Sequence, residues 1–227
     1  MKKKSKRYQE AEKLVDKSKL YTIEEAVGVL KSMPHAKYDE TLEASCQVNM
    51  DPKATDQTVR GSVVLPHGTG RQVKVIVFCE PEKEADAKEA GADFLGSQEF
   101  VDKIMKEGWF EFDCCIATPS MMKVVSKLGK VLGPRGLMPS PKTGTVTDNI
   151  SYAIKEAKRG KIDFRMDKAS CIHVGLGKIS FSKEQLMENV HAFVDALNNA
   201  KPASTKGEFI KSIYLSTTIS PSVRLNA

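Results

Sequence analysis

One segment of the chain combines residue types that bind phosphate groups with residue types that order a loop. Residues 127–146 contain no acidic side chain. Their cations are Lys127, Lys130, Arg135 and Lys142, and the glycines among these cations include Gly133 and Gly136. Lysine and arginine neutralise phosphate oxygens, glycine permits close approach of the backbone, and proline limits the entropy lost on ordering. The segment predicts contact with a nucleic-acid backbone, and the alternative is a structural loop that wraps a parallel sheet.

The glycines of this chain do not form a nucleotide-binding loop. Gly133-Pro-Arg-Gly136 departs from Gly-x-Gly-x-x-Gly, and Lys142-Thr143 lacks the preceding glycine of a Walker loop. Gly68-Thr-Gly70 precedes an apolar strand, whereas a dinucleotide fingerprint follows one. We expect no cofactor, and a nucleotide-dependent enzyme that uses the α/β part of the chain is the alternative function.

The histidines and cysteines have no catalytic or metal-binding spacing. The four histidines and five cysteines form neither Cys-x-x-Cys nor His-Glu-x-x-His, and no Gly-x-Ser-x-Gly motif is present. The vicinal Cys114 and Cys115 lie in an apolar run with no adjacent cation or histidine to stabilise a thiolate. We therefore expect no catalytic residue, no metal and no disulfide, in a reduced cytosolic protein that is not an enzyme.

Two polar segments lie where strands are expected to begin or end. Residues 34–41 lead into the first alternating strand, and residues 216–220 leave the last one. Small hydroxyls at such positions can reach ribose 2′-hydroxyls and phosphates across the shallow minor groove of RNA. The alternative is that serine and threonine occur here because of their strand propensity.

The composition is that of an ordinary soluble protein. The 227 residues are 41% hydrophobic and 28% charged, which argues against an all-disordered chain. No apolar run approaches the roughly 20 residues of a membrane span, and no apolar core follows the basic residues 1–7, so we expect neither membrane contact nor a secretory signal. The net charge of +6 supports a polyanionic partner only weakly, because five cations lie among those first seven residues.

The first and last thirds of the chain favour antiparallel strands with helices. Thr22-Ile-Glu-Glu25 is a capping box that begins a helix ending before Pro34. Residues 41–50 alternate strictly between apolar and polar side chains, as a half-buried strand does. Further strands are predicted over residues 59–65 and 209–218.

Two helices and a hairpin are predicted between the middle of the chain and the last strand. Asp148 is expected to cap a helix that ends at Gly160. Residues 161–167 and 171–176 are expected to pair as a hairpin. Ser182 is expected to cap the second helix, which continues to about residue 199 with apolar side chains at helical spacing.

The middle third alternates strands with helices, which is typical of βαβ units and a parallel sheet. The predicted strands cover residues 73–79, 94–95 and 112–117, and the predicted helices begin at Pro81, Ser97 and Pro119, the last ending at about Leu128. This region has no net charge over residues 69–158, as a separate module would allow.

These patterns together predict an α+β fold with an inserted α/β domain. Residues 1–68 and 159–227 form a discontinuous domain of antiparallel sheet plus helices. Residues 69–158 form the inserted domain, with a Rossmann-like three-layer arrangement. Loops at about 66–70 and 155–161 are expected to connect the two domains.

Several motifs together resemble one known family. The most specific, Gly133-Pro-Arg-Gly-Leu-Met-Pro-Ser-Pro-Lys-Thr-Gly-Thr-Val146, is similar to the signature of the large-subunit ribosomal protein L-one family of bacterial type, the mobile-stalk protein beside the exit site. The resemblance covers essentially the whole chain. Its other motifs are Asp56-Gln-Thr-Val-Arg-Gly61, Leu65-Pro-His-Gly-Thr-Gly70, Ala90-Gly-Ala-Asp93, Phe164-Arg-Met-Asp-Lys168, Ile172-His173, Ala200-Lys-Pro202 and Lys206-Gly207.

The resemblance implies a fold and a set of partners. Members have a discontinuous α+β domain made by both chain ends and an inserted Rossmann-like domain that binds no nucleotide. They bind structured large-subunit rRNA, repress their own messenger through a similar RNA structure, and move with deacylated tRNA during its release. We therefore expect these RNA partners, a cytoplasmic location on the large ribosomal subunit, and a monomer away from the ribosome.

The resemblance also implies which residues bind RNA. They are Lys37, Tyr38, Thr41, Arg165, Asp167, Lys168, His173, Thr217, Thr218 and Ile219. Residues 127–145 become a candidate second contact with rRNA or tRNA.

Three positions depart from the family pattern. Tyr38 stands where phenylalanine is usual, Met166 where asparagine is typical, and Ile219-Ser220 where Met-Gly is common. Because glycine adopts a positive φ that serine avoids, the last departure predicts a looser or reshaped contact.

Overall fold

The computed structural model describes residues 4–51, 59–96, 98–202, 205 and 207–226. Three features of the sequence analysis lie outside these residues: the helix cap at Ser97, residues 56–58 of the motif that ends at Gly61, and Lys206. The chain divides into two compact units. We call Met1–Gly70 with Ile162–Ala227 the terminal unit, and Arg71–Lys161 the inserted unit.

Helices and strands are mixed along the whole chain. In chain order they are α1 (Lys6–Lys13), α2 (Ile23–Ser32), β1 (Thr41–Val48), β2 (Arg60–Val64), β3 (Val75–Phe78), α3 (Glu84–Glu89), β4 (Phe94–Leu95), α4 (Gln98–Lys106), β5 (Cys114–Ala117), α5 (Met122–Val125), α6 (Gly129–Leu132), α7 (Ile150–Arg159), β6 (Lys161–Arg165), β7 (Cys171–Lys178), α8 (Lys183–Asn199), β8 (Ile210–Thr217) and β9 (Val223–Leu225). This mixture of helices with antiparallel and parallel sheets agrees with an α+β fold. Within the described ranges, no helix is long and apolar enough to cross a bilayer.

A four-stranded antiparallel sheet with the strand order β7-β1-β8-β9 forms the centre of the terminal unit. The predicted alternation of β1 is confirmed, because its even-numbered residues from Leu42 to Val48 are buried and the residues between them are half-buried or exposed. Side chains of α2 and α8 belong to the same apolar core as those buried residues. Capping boxes at Thr22 and Ser182 begin these two helices. The predicted capping box at Thr22 is confirmed, and so is the predicted cap at Ser182.

A second sheet joins β2 to β6. Gly61 of β2 lies against the ring of Phe164, where an added Cβ would come within 2.7 Å of a ring carbon. Phe164 also packs edge-on against Phe193 of α8, with ring centroids 5.9 Å apart. The predicted hairpin of residues 161–167 with residues 171–176 is therefore wrong: β6 pairs with β2, and β7 pairs with β1.

The inserted unit contains a three-stranded parallel sheet with the order β4-β3-β5. All four residues of β3 are buried, and they alternate between two apolar clusters. Ile76 and Phe78 pack with side chains from α4, α5 and α6, whereas Val75 and Val77 pack with side chains from α3 and α7. Both faces of this sheet are therefore covered, as is typical of parallel strands.

Three local predictions need correction. The helix predicted from Pro119 to about Leu128 begins later and, as α5, a 3-10 turn and α6, continues to Leu132. Asn149 caps α7 in place of Asp148, because its side chain accepts the N–H of Tyr152 at 3.2 Å. Residues 155–159 are helical, so the predicted loop shrinks to the junction at Gly160 between α7 and β6.

Two elements were not predicted. Helix α1 begins among the basic residues at the start of the chain, for which no helix was predicted, and Ser5 caps it by accepting the N–H of Tyr8 at 3.3 Å. Strand β9 follows β8 and adds the fourth strand to the antiparallel sheet. Each is too short for hydrophobic periodicity to identify.

Candidate nucleic-acid interface

One side of the antiparallel sheet of the terminal unit carries mainly polar residues, most of them half-buried or exposed. A row of side chains crosses all four strands there, because Ser45 pairs with His173 on one side and with Tyr214 on the other, and Tyr214 pairs with Arg224. The adjacent row on β1 contains the exposed Glu43. We call this side of the sheet the open face. Its hydroxyl, imidazole, phenol and guanidinium groups can donate and accept hydrogen bonds.

Only His173 of this row was predicted to bind RNA. The alternation of β1 already indicated that Ser45 faces away from the core, but its neighbours on the sheet depend on strand order. Tyr214 and Arg224 lie 169 and 179 residues along the chain from Ser45. No local pattern in the sequence brings them together.

Most of the other predicted residues lie at the two ends of β1. At its first residue, the N–H of Thr41 donates to the hydroxyl of Thr218 at 3.1 Å, which joins the start of β1 to the segment after β8. The Thr41 hydroxyl accepts from Lys178 at 3.0 Å. Tyr38 is 54% exposed just before this strand. We call this group the Tyr38 end of the open face, and it also contains the exposed Lys37 and the half-buried Ile219.

A buried carboxylate holds the Tyr38 end together. Glu40 is 1% exposed and accepts the N–H of Ala36 at 2.6 Å and the hydroxyl of Thr217 at 2.5 Å. Thr217 is itself buried, with 3% of its surface exposed. Its hydroxyl therefore supports the residues that surround it, and the predicted direct contact of this donor with RNA is revised to a positioning role.

We expect Thr217→Val to destabilise the terminal unit. Valine keeps the shape of threonine but removes the hydroxyl that donates to the buried Glu40, which should lower the free energy of unfolding by about 1–3 kcal/mol. Urea unfolding, with hydrogen exchange of amides in the terminal unit as the probe, would measure this change. The control is Thr69→Val, because Thr69 is only half-buried and its side chain has no hydrogen bond to another described residue. Equal stabilities of the two variants would contradict the role given to Thr217.

The opposite end of the open face is a tight turn between β6 and β7. One carboxylate oxygen of Asp167 accepts the backbone N–H groups of Ala169 and Cys171, both at 2.8 Å. The N–H of Cys171, together with that of Ala169, holds the pKa of Asp167 below its ordinary value. We call this turn, with the exposed Arg165 and Lys168, the Asp167 end.

Ser170 fixes this turn to the end of β1. It has a φ of 60°, a left-handed conformation that is uncommon for a residue with a side chain. Its hydroxyl donates to the carbonyl of Met50 at 2.7 Å, and its carbonyl accepts the N–H of Val48 at 2.9 Å. These bonds stabilise the conformation that places Lys168 and Asp167 beside the open face.

The two ends do not form a single cluster. Thr41 lies at the Tyr38 end, and Gln47, which pairs with Cys171, lies at the Asp167 end. Six residue-to-residue steps of extended strand separate them, a distance of about 20 Å. The predicted residues therefore mark the two ends of a long face and not the walls of a pocket.

Helix α1 adds cations that the sequence analysis did not assign to the interface. Lys4, Arg7 and Tyr8 line a shallow groove together with Ile219. Lys4 also forms an ion pair with Glu12 at 2.7 Å. The groove places the basic start of α1 beside the Tyr38 end.

The structure gives two of the three family departures a local explanation. Met166 is 6% exposed and packs in the apolar core, so its side chain is not part of the open face. Ser220 does not have a positive φ, and its hydroxyl accepts the N–H of Thr217 at 2.8 Å. Serine therefore fits this backbone and adds a bond that glycine would lack.

The glycine- and proline-rich segment of the inserted unit is partly helical. Lys127 lies on the turn between α5 and α6, and Lys130 lies on α6. Arg135 stacks over the ring of Phe110, with its guanidinium carbon 3.6 Å from the ring centroid. Lys142 lies in a 3-10 turn, Pro141–Thr143, which Ser140 caps by accepting the N–H of Lys142. These cations are exposed, but the segment that carries them is ordered by its own contacts.

Gly133 and Gly136 join α6 to the rest of this segment. The amide of Gly133 donates to the carbonyl of Gly129 at 2.9 Å, and an added Cβ would come within 2.6 Å of that same oxygen. Gly136 has a φ of 72°. Both glycines therefore have a conformational role.

Three of the cysteines, Cys46, Cys79 and Cys115, are buried. Burial raises the pKa of Cys46 to about 12 and also raises the pKa of Cys115. Such thiols remain protonated near neutral pH and are poor nucleophiles.

Asp167, Cys171 and His173 form a group of side chains that could hold a metal ion. The sequence did not predict this group, because the spacing of the three residues matches no familiar metal-binding motif.

The sequence matches the family model described as "Ribosomal protein L1p/L10e family" over residues 30–221 of the 227-residue chain. The matched range contains the strands from β1 to β8. It therefore includes both ends of the open face. Helix α1 and β9, with Arg224, lie outside the matched range.

Proposed function

Because the chain belongs to the ribosomal protein L1p/L10e family, we propose that it binds a folded segment of large-subunit rRNA through the open face and its two ends. Membership in this family makes it a structural protein of the large ribosomal subunit, and the family is not one of enzymes. The observation that carries the proposal is the polar row of His173, Ser45, Tyr214 and Arg224 across the antiparallel sheet.

The chemistry of the open face suits RNA. Structured RNA presents ribose 2′-hydroxyls and phosphates in a wide, shallow minor groove, and small polar groups on a flat surface can reach both. Ser45 and Tyr214 supply hydroxyls, and His173 supplies a ring nitrogen that already lies 3.0 Å from the Ser45 hydroxyl. The face contains acidic and basic groups, so selection by shape and hydroxyl contacts is more important here than net charge.

The ends of the face supply groups that bind phosphates and bases. Arg165 and Lys168 are exposed at the Asp167 end, and Lys37 is exposed at the Tyr38 end. Tyr38 presents a ring on which an unpaired base can stack. These contacts position the RNA, while the hydroxyls between them distinguish RNA from DNA.

We extend the proposal to two further RNA partners. A messenger segment folded like the rRNA segment would present the same phosphates and hydroxyls, so the same face would bind it and repress synthesis of the protein. The basic segment of the inserted unit, with Lys127, Lys130, Arg135 and Lys142, would contact deacylated tRNA transiently during its release. The protein would act in the cytoplasm as part of the large subunit and would be a monomer when free.

Binding to transcripts made in vitro tests the proposed function. Segments that tile the large-subunit rRNA would be titrated with the full chain against an excess of unrelated structured RNA, and one segment should bind selectively. A footprint on that segment and on the protein's own transcript, side by side, would show whether they share a structure. Equal affinity for every transcript would contradict the proposal. Saturable calorimetric binding of ATP, GTP or NAD would instead support the nucleotide-dependent alternative.

We expect the inserted unit to be unnecessary for this binding. The residues of the open face all belong to the terminal unit, which has its own apolar core. A variant in which a short glycine-serine linker replaces Arg71–Lys161 should therefore retain the affinity of the full chain within about threefold, or about 0.6 kcal/mol. Filter binding would measure the affinity, and circular dichroism would establish that the variant is folded. A folded variant that no longer binds the segment would disprove this expectation.

The basic segment of the inserted unit should contribute counterion release. Replacing Lys130, Arg135 and Lys142 by alanine should reduce the dependence of the logarithm of tRNA affinity on the logarithm of salt concentration by about 2–3, if all three neutralise phosphates, and should leave the slope for the rRNA segment bound by the open face unchanged. Titrations at several salt concentrations, with both rRNA and tRNA, would measure the slope. The control replaces three other exposed lysines of the inserted unit, Lys88, Lys123 and Lys155. An unchanged slope for tRNA would favour the structural-loop interpretation.

A further inference from the structure

Three side chains with different metal-binding atoms converge at the Asp167 end of the open face. Cys171 and His173 lie two residues apart on β7, so their side chains leave the same side of the strand. The turn before β7 brings Asp167 to the same place. The sulfur of Cys171, a ring nitrogen of His173 and a carboxylate oxygen of Asp167 all lie within 4.8 Å of one another.

The surrounding hydrogen bonds leave one atom of Asp167 and one of His173 available. Oδ1 of Asp167 already accepts two backbone N–H groups, whereas Oδ2 lies 3.9 Å from Nε2 of His173. Nδ1 of His173 lies 3.0 Å from the hydroxyl of Ser45. When Nδ1–H donates to Ser45, the lone pair of Nε2 is free. A ligand histidine that donates its other N–H to a neighbouring oxygen is the usual arrangement at metal sites.

We propose that Asp167, Cys171 and His173 bind one Zn²⁺ ion. Thiolate, imidazole and carboxylate are the ligands that zinc prefers, whereas magnesium and calcium favour oxygen ligands alone. Tetrahedral zinc with bonds of about 2.0–2.3 Å places its ligand atoms roughly 3.5 Å apart, so the three side chains need only close by about 1 Å. Three protein ligands leave the fourth position open to water.

The binding step exchanges one proton for the metal. The thiol of Cys171 now donates to the carbonyl of Ala169, with the sulfur 3.6 Å from that oxygen. When zinc binds, the S–H bond breaks, the proton goes to the buffer, and the sulfur keeps the electron pair that forms the S–Zn bond. His173 binds through the lone pair of its neutral imidazole, and Asp167 binds through a carboxylate oxygen. Zinc remains divalent, so no atom is oxidised or reduced.

The site goes beyond the proposed function and does not depend on it. Its ligands lie on the protein alone, so zinc can be studied without RNA. A failure to bind zinc would leave the rRNA proposal untouched, and a failure to bind rRNA would leave the zinc site untouched.

Calorimetry with zinc chloride tests the site. The full chain, first treated with a chelator and kept reduced, should bind one equivalent of Zn²⁺ and release protons, so the heat should vary with the ionisation enthalpy of the buffer. Cys171→Ser, His173→Asn and Asp167→Asn should each weaken binding at least about tenfold. Cobalt(II) should produce a thiolate-to-metal charge-transfer band that is lost in Cys171→Ser.

Two control variants show whether binding belongs to this site. Cys114→Ser removes a half-buried cysteine of the inserted unit, and His191→Gln removes an exposed histidine of α8. Both should bind zinc as the unmodified chain does. The proposal is wrong if the chain shows no saturable zinc binding, or if Cys171→Ser binds zinc and cobalt as the unmodified chain does. Circular dichroism of each variant would exclude unfolding as the cause of a loss.

Discussion

Replacing Arg165, Lys168 and Arg224 together by alanine is expected to weaken binding of the large-subunit rRNA segment by at least about a hundredfold. All three cations are exposed on the open face or at its Asp167 end, and none forms an ion pair with another described residue. A charge-assisted hydrogen bond contributes about 1.5–3 kcal/mol, so the loss of even two such contacts would exceed the 2.8 kcal/mol or so that a hundredfold change represents.

Salt dependence provides a second measurement on the same variant. Each phosphate contact contributes about 0.7–0.9 to the slope of log affinity against log salt, so the slope should fall by about 2–3. The matched control replaces Lys13, Lys88 and Lys155, which are exposed lysines that are not part of the open face. Because the control removes the same net charge, it separates contacts at the face from general attraction. Equal affinities for the variant and the control would show that RNA does not bind there.

The sequence was sufficient where a local pattern determines the structure. The alternation of β1 follows from a period of two residues with one buried face, and the capping box at Thr22 is a contact within four consecutive residues. The hairpin of β6 with β7 was wrong because a turn between two strands does not determine their partners. Gly61 and Phe193 decide the position of β6, and both are distant from it in the chain.

The candidate site shows the same division between local and distant contacts. The sequence showed polar segments at the strand ends, but only the resemblance to the family assigned individual residues there to RNA binding. The bond of Glu40 to Thr217, which spans 177 residues, was not accessible, and without it Thr217 looked like a free hydroxyl. The zinc ligands were missed for a different reason: their spacing of three and one intervening residues becomes a cluster only because Ser170 adopts a left-handed turn.

A single buried asparagine holds the motif of residues 65–70 in place, a contact that the motif itself does not predict. Asn189 of α8 has no exposed surface. Its amide nitrogen donates to the carbonyl of Gly68 at 3.0 Å and to that of Leu176 at 2.7 Å, and its oxygen accepts the N–H of His67 at 3.1 Å. One side chain therefore joins α8 to β7 and to the segment that ends the first part of the terminal unit.

We expect Asn189→Ala to lower the free energy of unfolding of the terminal unit by about 2–4 kcal/mol, because three backbone groups lose their partner and part of that loss is recovered from water. Asn189→Asp should also destabilise, since a carboxylate can still accept from His67 but cannot donate to Gly68 and Leu176. The control Asn198→Ala changes an exposed residue of the same helix and should alter stability by no more than about 0.5 kcal/mol.

Hydrogen exchange distinguishes this local role from a general loss of stability. The amide of His67 loses its acceptor in Asn189→Ala, so its exchange should accelerate more than that of amides in β1, whose hydrogen bonds within the sheet remain. Trp109 lies in the inserted unit and is the single tryptophan of the chain, so its fluorescence reports unfolding of that unit separately. A shift of the Trp109 transition as large as that of the terminal unit would mean that the two units unfold together. If the His67 amide exchanged no faster than in the control, another group would have to be its acceptor, and the bond to Asn189 would not be what fixes this segment.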